Sequence, residues 1–560
     1  MKKYIAILIV ASFSASCKKQ SFDVVIRGGT VYDGSGKSGV VADIGINADT
    51  IAFIGNLSDA IGKKEIDAKG LAVAPGFINM LSHAEGSLLF DGNSQSDIRQ
   101  GVTLEVFGEG SMGPMNDKMK ADEEEAMKHD PDWAYKIDWT TLGDYFNTLE
   151  RKTMTPNVAS FVSAITVRVH ELGYANRPPS SEELERMKNL VKVAMDEGAM
   201  GLTSALIYAP ANYASTEELI ELSKVAAASG GMYIAHIRSE GNSMLEAVEE
   251  TIRIAKEANI PAEIYHLKFS GNINWNKFDT VTAMIDNANK SGLKITADMY
   301  TYVAGATGLD AAMPPWLQEV GIKEWIKRMK DTLIRKKALQ EMRTPTNKWE
   351  NLMMLAGDFS KVLLLGFTND SLRKNYTGKT LAEVTKIYGK SPEETAMDLV
   401  ITDGTRVGTA YFLMTEENVK KQIALPYVSF GSDAESSTAS GNFLKTPTHP
   451  RAYGNFSRLL GKYVREEKVI TLEEAIRRLT SLPASNLKIK KRGLLQVGYY
   501  ADLAMFDAEK IADHATFENP HQYSTGMVHV FVNGTQVLEN GEHTNARPGR
   551  IVRGPGYKAK

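Results

Sequence analysis

The sequence predicts an α/β protein: a (β/α)8 TIM-like barrel, a small β-sandwich domain built from both chain ends, and a helical insertion before the last barrel strand. Two observations predict it. Eight short apolar runs alternate with amphipathic helical stretches through the middle of the chain, and both ends share one strand-and-turn idiom. The runs are Leu71–Ile78, Val102–Phe107, Val158–Ala164, Gly201–Thr203, Met232–Ile237, Ala262–Leu267, Leu293–Met299 and Tyr427–Phe430. Between several of them apolar residues recur at three- and four-residue spacing, as in Glu182–Ala194, Thr216–Ala228 and Ser243–Ala258. Periodicity alone also allows a doubly wound open sheet.

The terminal segments carry the β-domain. From Phe22 to Ala74, β-branched residues alternate between Gly and Asp turns, and Ala501–Phe506 and Val528–Gly534 repeat the pattern. The division is therefore 18–74 and 489–560 for the β-domain and 75–488 for the barrel, with the insertion at about 311–418. Ahead of this body, Lys2-Lys3, the apolar run Tyr4–Phe13 and Ser14-Ala15-Ser16 before Cys17 read as a signal peptide over 1–17. The run is too short to span a bilayer. Small residues abutting Cys17 resemble a lipoprotein cleavage site, in which that cysteine becomes the lipidated first residue. Ser14 departs from the usual Leu. The expectation is an exported protein, a periplasmic or cell-envelope lipoprotein touching a membrane only through a lipid anchor on Cys17.

Composition narrows the function. With 65 basic and 68 acidic residues, the formal charge of −3 argues against nucleic-acid binding, and a mean hydropathy of −0.24 excludes a polytopic membrane protein. A single cysteine excludes internal disulfides and a Cys-cluster metal site. Nothing in the sequence sets the oligomeric state.

Barrel enzymes place their chemistry at the C-terminal ends of strands. Those ends supply His83, Glu109, His236, His266 and Asp433 in order. One His ending a strand is ordinarily structural. Two on consecutive strands, with Gly431-Ser432-Asp433 after a third, point to a Zn2+-class site, since neutral imidazoles and a carboxylate leave an open coordination position. A nearby carboxylate can take a proton from water and pass it to a leaving nitrogen.

These residues sit in longer motifs: Ala74-Pro75-Gly76-Phe77-Ile78, Gln100-Gly101-Val102-Thr103, Gly230–Glu240 around His236, and Glu263-Ile264-Tyr265-His266-Leu267-Lys268. Ala297–Gly305, Gly431-Ser432-Asp433, His449–Gly454 and Asn545-Ala546-Arg547-Pro548-Gly549 follow in order. Together they resemble the amidohydrolase superfamily, and most closely its D-aminoacylase (N-acyl-D-amino-acid deacylase) branch. Two departures stand out. The family's first strand ends in Asp-x-His-x-His, and here it reads Asn79-Met80-Leu81-Ser82-His83. The bridging Cys of Gly-Asn-Cys-Gly is replaced in Gly108-Glu109-Gly110-Ser111, with Glu109 one residue away.

The resemblance implies hydrolysis of N-acyl-D-amino acids or D-residue dipeptides. It implies one tightly held Zn2+ on Glu109, His236 and His266, with His83 lining a weak or empty second site. Asp433 is then the catalytic base, and Tyr208, Lys268, Tyr300 and Arg451 bind substrate. An Arg fork suits a carboxylate, and Lys supplies a point charge. The alternatives are a cyclic-amide hydrolase on the same scaffold and a non-catalytic binding lipoprotein. Trp133, Trp139 and Trp316 are candidates to line an acyl pocket.

Overall fold

The computed structural model describes residues 20–128, 133–317 and 322–559. The proposed signal peptide and Cys17 lie outside the described residues. Eight strands make the barrel: β1 (Phe77–Ser82), β2 (Val102–Phe107), β3 (Asn157–Ser160, resumed at Val162–Ser163), β4 (Gly201–Ala205), β5 (Met232–His236), β6 (Ala262–Ile264), β7 (Ile295–Met299) and β8 (Val428–Phe430). Neighbouring strands pair in parallel from β1 to β3 and from β3 to β8. The break in β3 lets its first half pair with β2 and its second half with β4. Beyond β8, Asp433 N–H donates to Leu81 O at 2.9 Å and Ala434 bridges Ser82, so the sheet closes on itself. An open sheet is thereby excluded. Strand interiors are buried on both faces, which is why they read as continuous apolar runs.

The first run, Leu71–Ile78, divides at Gly76. Ala72–Pro75 belongs to the terminal sheet, and β1 starts at Phe77. Gly76 is needed there, since a Cβ would lie 2.1 Å from Thr103 Oγ1. Leu503–Phe506 runs antiparallel to Ala72–Pro75, so the two chain ends share one nine-stranded sheet. Ser21–Val31 pairs with Ile61–Asp67 through its first half and with Ala72–Pro75 through its last residues. The sheet folds there over Ile26, Ile44, Ile46, Leu503 and Phe531.

The insertion is not purely helical. It contains helices such as Thr332–Met342 and Pro392–Asp403, but also a three-stranded antiparallel sheet of Ala304–Gly308, Gly408–Phe412 and Val362–Leu364. The first strand, Ala-Gly-Ala-Thr-Gly, lacks the bulky β-branched residues that mark strands, and it lies ahead of the expected boundary at Ala311. A separate apolar core under Leu309, Trp325, Val362 and Val400 holds this unit together. It stands over the barrel mouth. Among the described residues no helix is long and apolar enough to cross a membrane.

Candidate active site

The loops after the strands bring five predicted residues to one cavity of about 440 Å³, and Lys268, Tyr300, Tyr208 and Arg451 line it too. Glu109 follows β2, His236 ends β5, and His266 follows β6. Glu109 Oε1 lies 2.8 Å from His236 Nδ1 and 2.9 Å from His266 Nε2. Glu109, His266 and Asp433 have φ of 60°, 33° and 50°, a left-handed conformation that costs a non-glycine residue on the order of 1 kcal/mol or more. Such strain persists only where packing and hydrogen bonds over-determine the backbone. Here the Glu109 N–H donates to Thr203 Oγ1 at 3.1 Å and the His266 N–H to Asp298 at 2.8 Å.

Asp433 faces this group from beyond β8. Its Oδ1 is 3.0 Å from His83 Nε2, and its Oδ2 is 2.6 Å from Arg451 Nη1. Burial alone would raise the Asp433 carboxyl, but Arg451, His266 and His83 together hold it below the ordinary carboxylate range. His83 responds in kind. Burial opposes its charged form, yet the Asp433 hydrogen bond and the Glu109 charge push it up to about 9.

The basic end of the cavity rests on a residue sequence reasoning did not assign. Glu240 Oε1 accepts from Lys268 Nζ at 2.7 Å and lies 3.0 Å from His266 Nδ1. Burial would raise this carboxyl, but Lys268, His236 and His266 bring it down to about 2. A buried Lys268 demands such a partner. The only signal was the acidic residue four places after His236. Tyr300 stacks beneath both cations, with its ring 4.5 Å from the Arg451 guanidinium carbon and 5.4 Å from Lys268 Nζ. Tyr300 Oη and Arg451 Nε are buried without a hydrogen-bond partner. His449 Nδ1 accepts from the Arg451 N–H at 3.0 Å and so fixes the start of that helix. Tyr208 sets its ring edge-on to His236 at 5.3 Å and donates its hydroxyl to Thr307 at 3.2 Å.

Among the described residues, Glu109, His236 and His266 form the group able to hold a metal ion. The donor chemistry fits: two imidazole nitrogens and a carboxylate oxygen converge on one point. Buried carboxylates crowd it as well. Despite burial and Lys268, the charges of Asp433 and Glu240 and the hydrogen bond to Glu109 push His266 up to about 10. His266 Nδ1 is flanked by Lys268 Nζ at 2.6 Å and Glu240 Oε1 at 3.0 Å, the kind of outer contact that would orient the ring if it held a metal. His83 stands outside the group, 3.9 Å from Glu109 Oε2, and is drawn to Asp433 instead. Leu81 is fully buried with Ile78, Leu104, Val106 and Tyr265. The tryptophans do not line the cavity. Trp139 is core and donates to Met112 O, Trp133 packs on Phe90 and Phe443, and Trp316 meets Glu341.

Metal donors, a facing carboxylate and a cationic end, all on loops at the mouth of a closed barrel, define an amidohydrolase-type enzyme. A profile of the amidohydrolase family matches residues 370–538. D-aminoacylase of Alcaligenes xylosoxydans xylosoxydans is 32% identical over 538 residues, spanning 95% of this chain and 98% of its own. A D-aminoacylase structure described by one-metal activation and second-metal attenuation superposes with a TM-score of 0.77 at 29% identity, covering 95% of this chain and 100% of that one. The N-acyl-D-glutamate deacylase of Bordetella bronchiseptica, solved with zinc and a phosphonate mimic of the tetrahedral intermediate, gives 0.78 at 27% identity over the same shares. The chain belongs to the D-aminoacylase family of amidohydrolases.

Proposed function

We propose that this protein hydrolyses the amide bond of N-acyl-D-amino acids, or of D-residue dipeptides, to a free D-amino acid and a carboxylate. One observation carries the reading. The same cavity that gathers Glu109, His236 and His266 also holds unpaired donors on Arg451 and Tyr300 beside Lys268, which together suit a free α-carboxylate. A cyclic amide without a carboxylate, such as a simple hydantoin, would leave these donors unsatisfied. A purely binding role gives no reason to hold an ionised Asp433 opposite the metal donors. The D-series preference rests on the family's members.

Glu109, His236 and His266 would hold one Zn2+ ion, whose chemistry when bound is to polarise a carbonyl and acidify water. Asp433, kept ionised by Arg451, accepts a proton from the attacking water and returns it to the nitrogen as the C–N bond breaks. His83 aims that carboxylate. Arg451, Lys268 and Tyr300 fix the substrate's carboxylate so that the amide meets Asp433, and Tyr208 walls the opposite side. The proposal extends to export and lipidation at Cys17, which C17A should abolish as judged by labelled fatty-acid incorporation.

The test is amine release from matched N-acetyl-D- and N-acetyl-L-amino acids by the zinc-loaded protein. Turnover should be confined to the D-series, and D433N should lose at least about a thousandfold in kcat while keeping its zinc. Equal D and L rates, or an active D433N, would refute the reading.

A further inference from the structure

We infer that the preferred substrate carries a second, short acidic group, recognised by Arg406. This rests on the deacylase reading above and names its substrate class. Arg406 lines the same cavity as Arg451, against Tyr208 rather than against Tyr300 and Asp433. Its guanidinium lies 5.5 Å from the centre of the Tyr208 ring, whose edge meets His236, so Arg406 sits one aromatic ring from the metal donors. Two carboxylates of one small molecule can therefore each meet an arginine of their own within the cavity that holds Glu109.

Arg406 is built to recognise rather than to fill space. Buried Asp310 grips its Nε at 3.0 and 2.9 Å, and Thr307 Oγ1 accepts from Nη2 at 3.3 Å while also accepting from Tyr208. The side chain nevertheless remains 51% exposed against 4% for Asp310, so the pairing fixes one edge of the fork and leaves the group facing the void. The backbone is constrained beside it. Val407 has φ 59°, an outlier for a β-branched residue, and strain of this kind gathers where ligands are clamped. Thr307, Asp310, Arg406 and Val407 all belong to the inserted unit, whereas Tyr208 comes from the loop after β4.

Length is bounded by the space beyond. A recess beside Arg406, walled by Ile207, Trp349 and Glu350, measures only about 30 Å³. Glu350 also places a carboxylate at its far wall. A side chain reaching Arg406 must stop there, which suits the length of aspartate or glutamate.

The experiment compares initial rates on N-acetyl-D-Glu, -D-Asp, -D-Gln and -D-Leu for the wild type, R406M and R406K, all zinc-loaded. Binding of N-acetyl-D-Glu to the same proteins is followed by calorimetry. We expect kcat/KM for one of the acids to exceed that for D-Gln at least tenfold. R406M should lower the acid-to-Leu ratio at least tenfold through KM and weaken acid binding equally, and R406K should fall between. D-Gln turned over as well as D-Glu, or an unchanged ratio in R406M, overturns the inference and leaves the deacylase reading standing. Silence on every D-substrate overturns that reading, and acid binding unaffected by R406M then overturns the inference on its own. An R406M that fails to fold passes the decision to R406K.

Discussion

The two sides of the barrel mouth are made of opposite materials. From β2, β5 and β6 come Glu109, His236 and His266, held within hydrogen-bond distance through Glu109. From β1 comes Leu81, sealed into an apolar cluster, while Asn79 bonds Glu105, Asp97 and Ser432 at 3.0, 3.2 and 2.8 Å. His83 alone on that side reaches the cavity, and it serves Asp433. Leu81 is committed to the core, and His83 two residues on pairs with Asp433.

The sharpest way to break this comparison is Glu109→Ala. Zinc content measured by mass spectrometry should fall from one equivalent to near zero, with kcat/KM down at least about a thousandfold. Retained zinc would mean that Glu109 is no ligand. His83→Ala should have a smaller effect: zinc stays at one equivalent, and kcat falls about 10- to 100-fold because Asp433 loses its partner while Arg451 remains. Loss of zinc in that variant would show a two-sided centre. Glu240→Gln should be the mildest. It removes the charge that neutralises Lys268 and orients His266, so zinc affinity falls about tenfold and KM rises more than kcat drops. A pure loss of kcat would place Glu240 in the proton transfer instead.

Sequence patterning conveyed the strand ends well, because a residue after a buried apolar run is forced to the barrel's edge. That made Glu109, His236, His266 and Asp433 legible. Strand alternation, expected to tie Lys268 to His266, does not apply, because the strand ends at Ile264 and both residues lie in the loop beyond it. Closure was not legible, since it depends on single long-range contacts such as Asp433 to Leu81. Nor was Glu240, an acidic residue among 68 whose significance appears only when Lys268 is seen to be buried. The strands of the insertion hid behind small residues, and Arg406 acquires meaning only through Asp310 and Thr307, which the fold brings to it. The tryptophans misled for the converse reason: aromatic bulk marks the core as readily as a pocket.

The shared terminal sheet has a consequence for how the molecule comes into being. Strand Ala72–Pro75 awaits Leu503–Phe506, a partner from the opposite end of the chain. No N-terminal fragment can finish that sheet, and the barrel strand that begins at Phe77 follows directly on one of its interior strands. Hydrolytic competence therefore arrives late in synthesis, after nearly the whole polypeptide has emerged. A chain cut short before Leu503 would offer proteases an unpaired edge rather than a partly working enzyme.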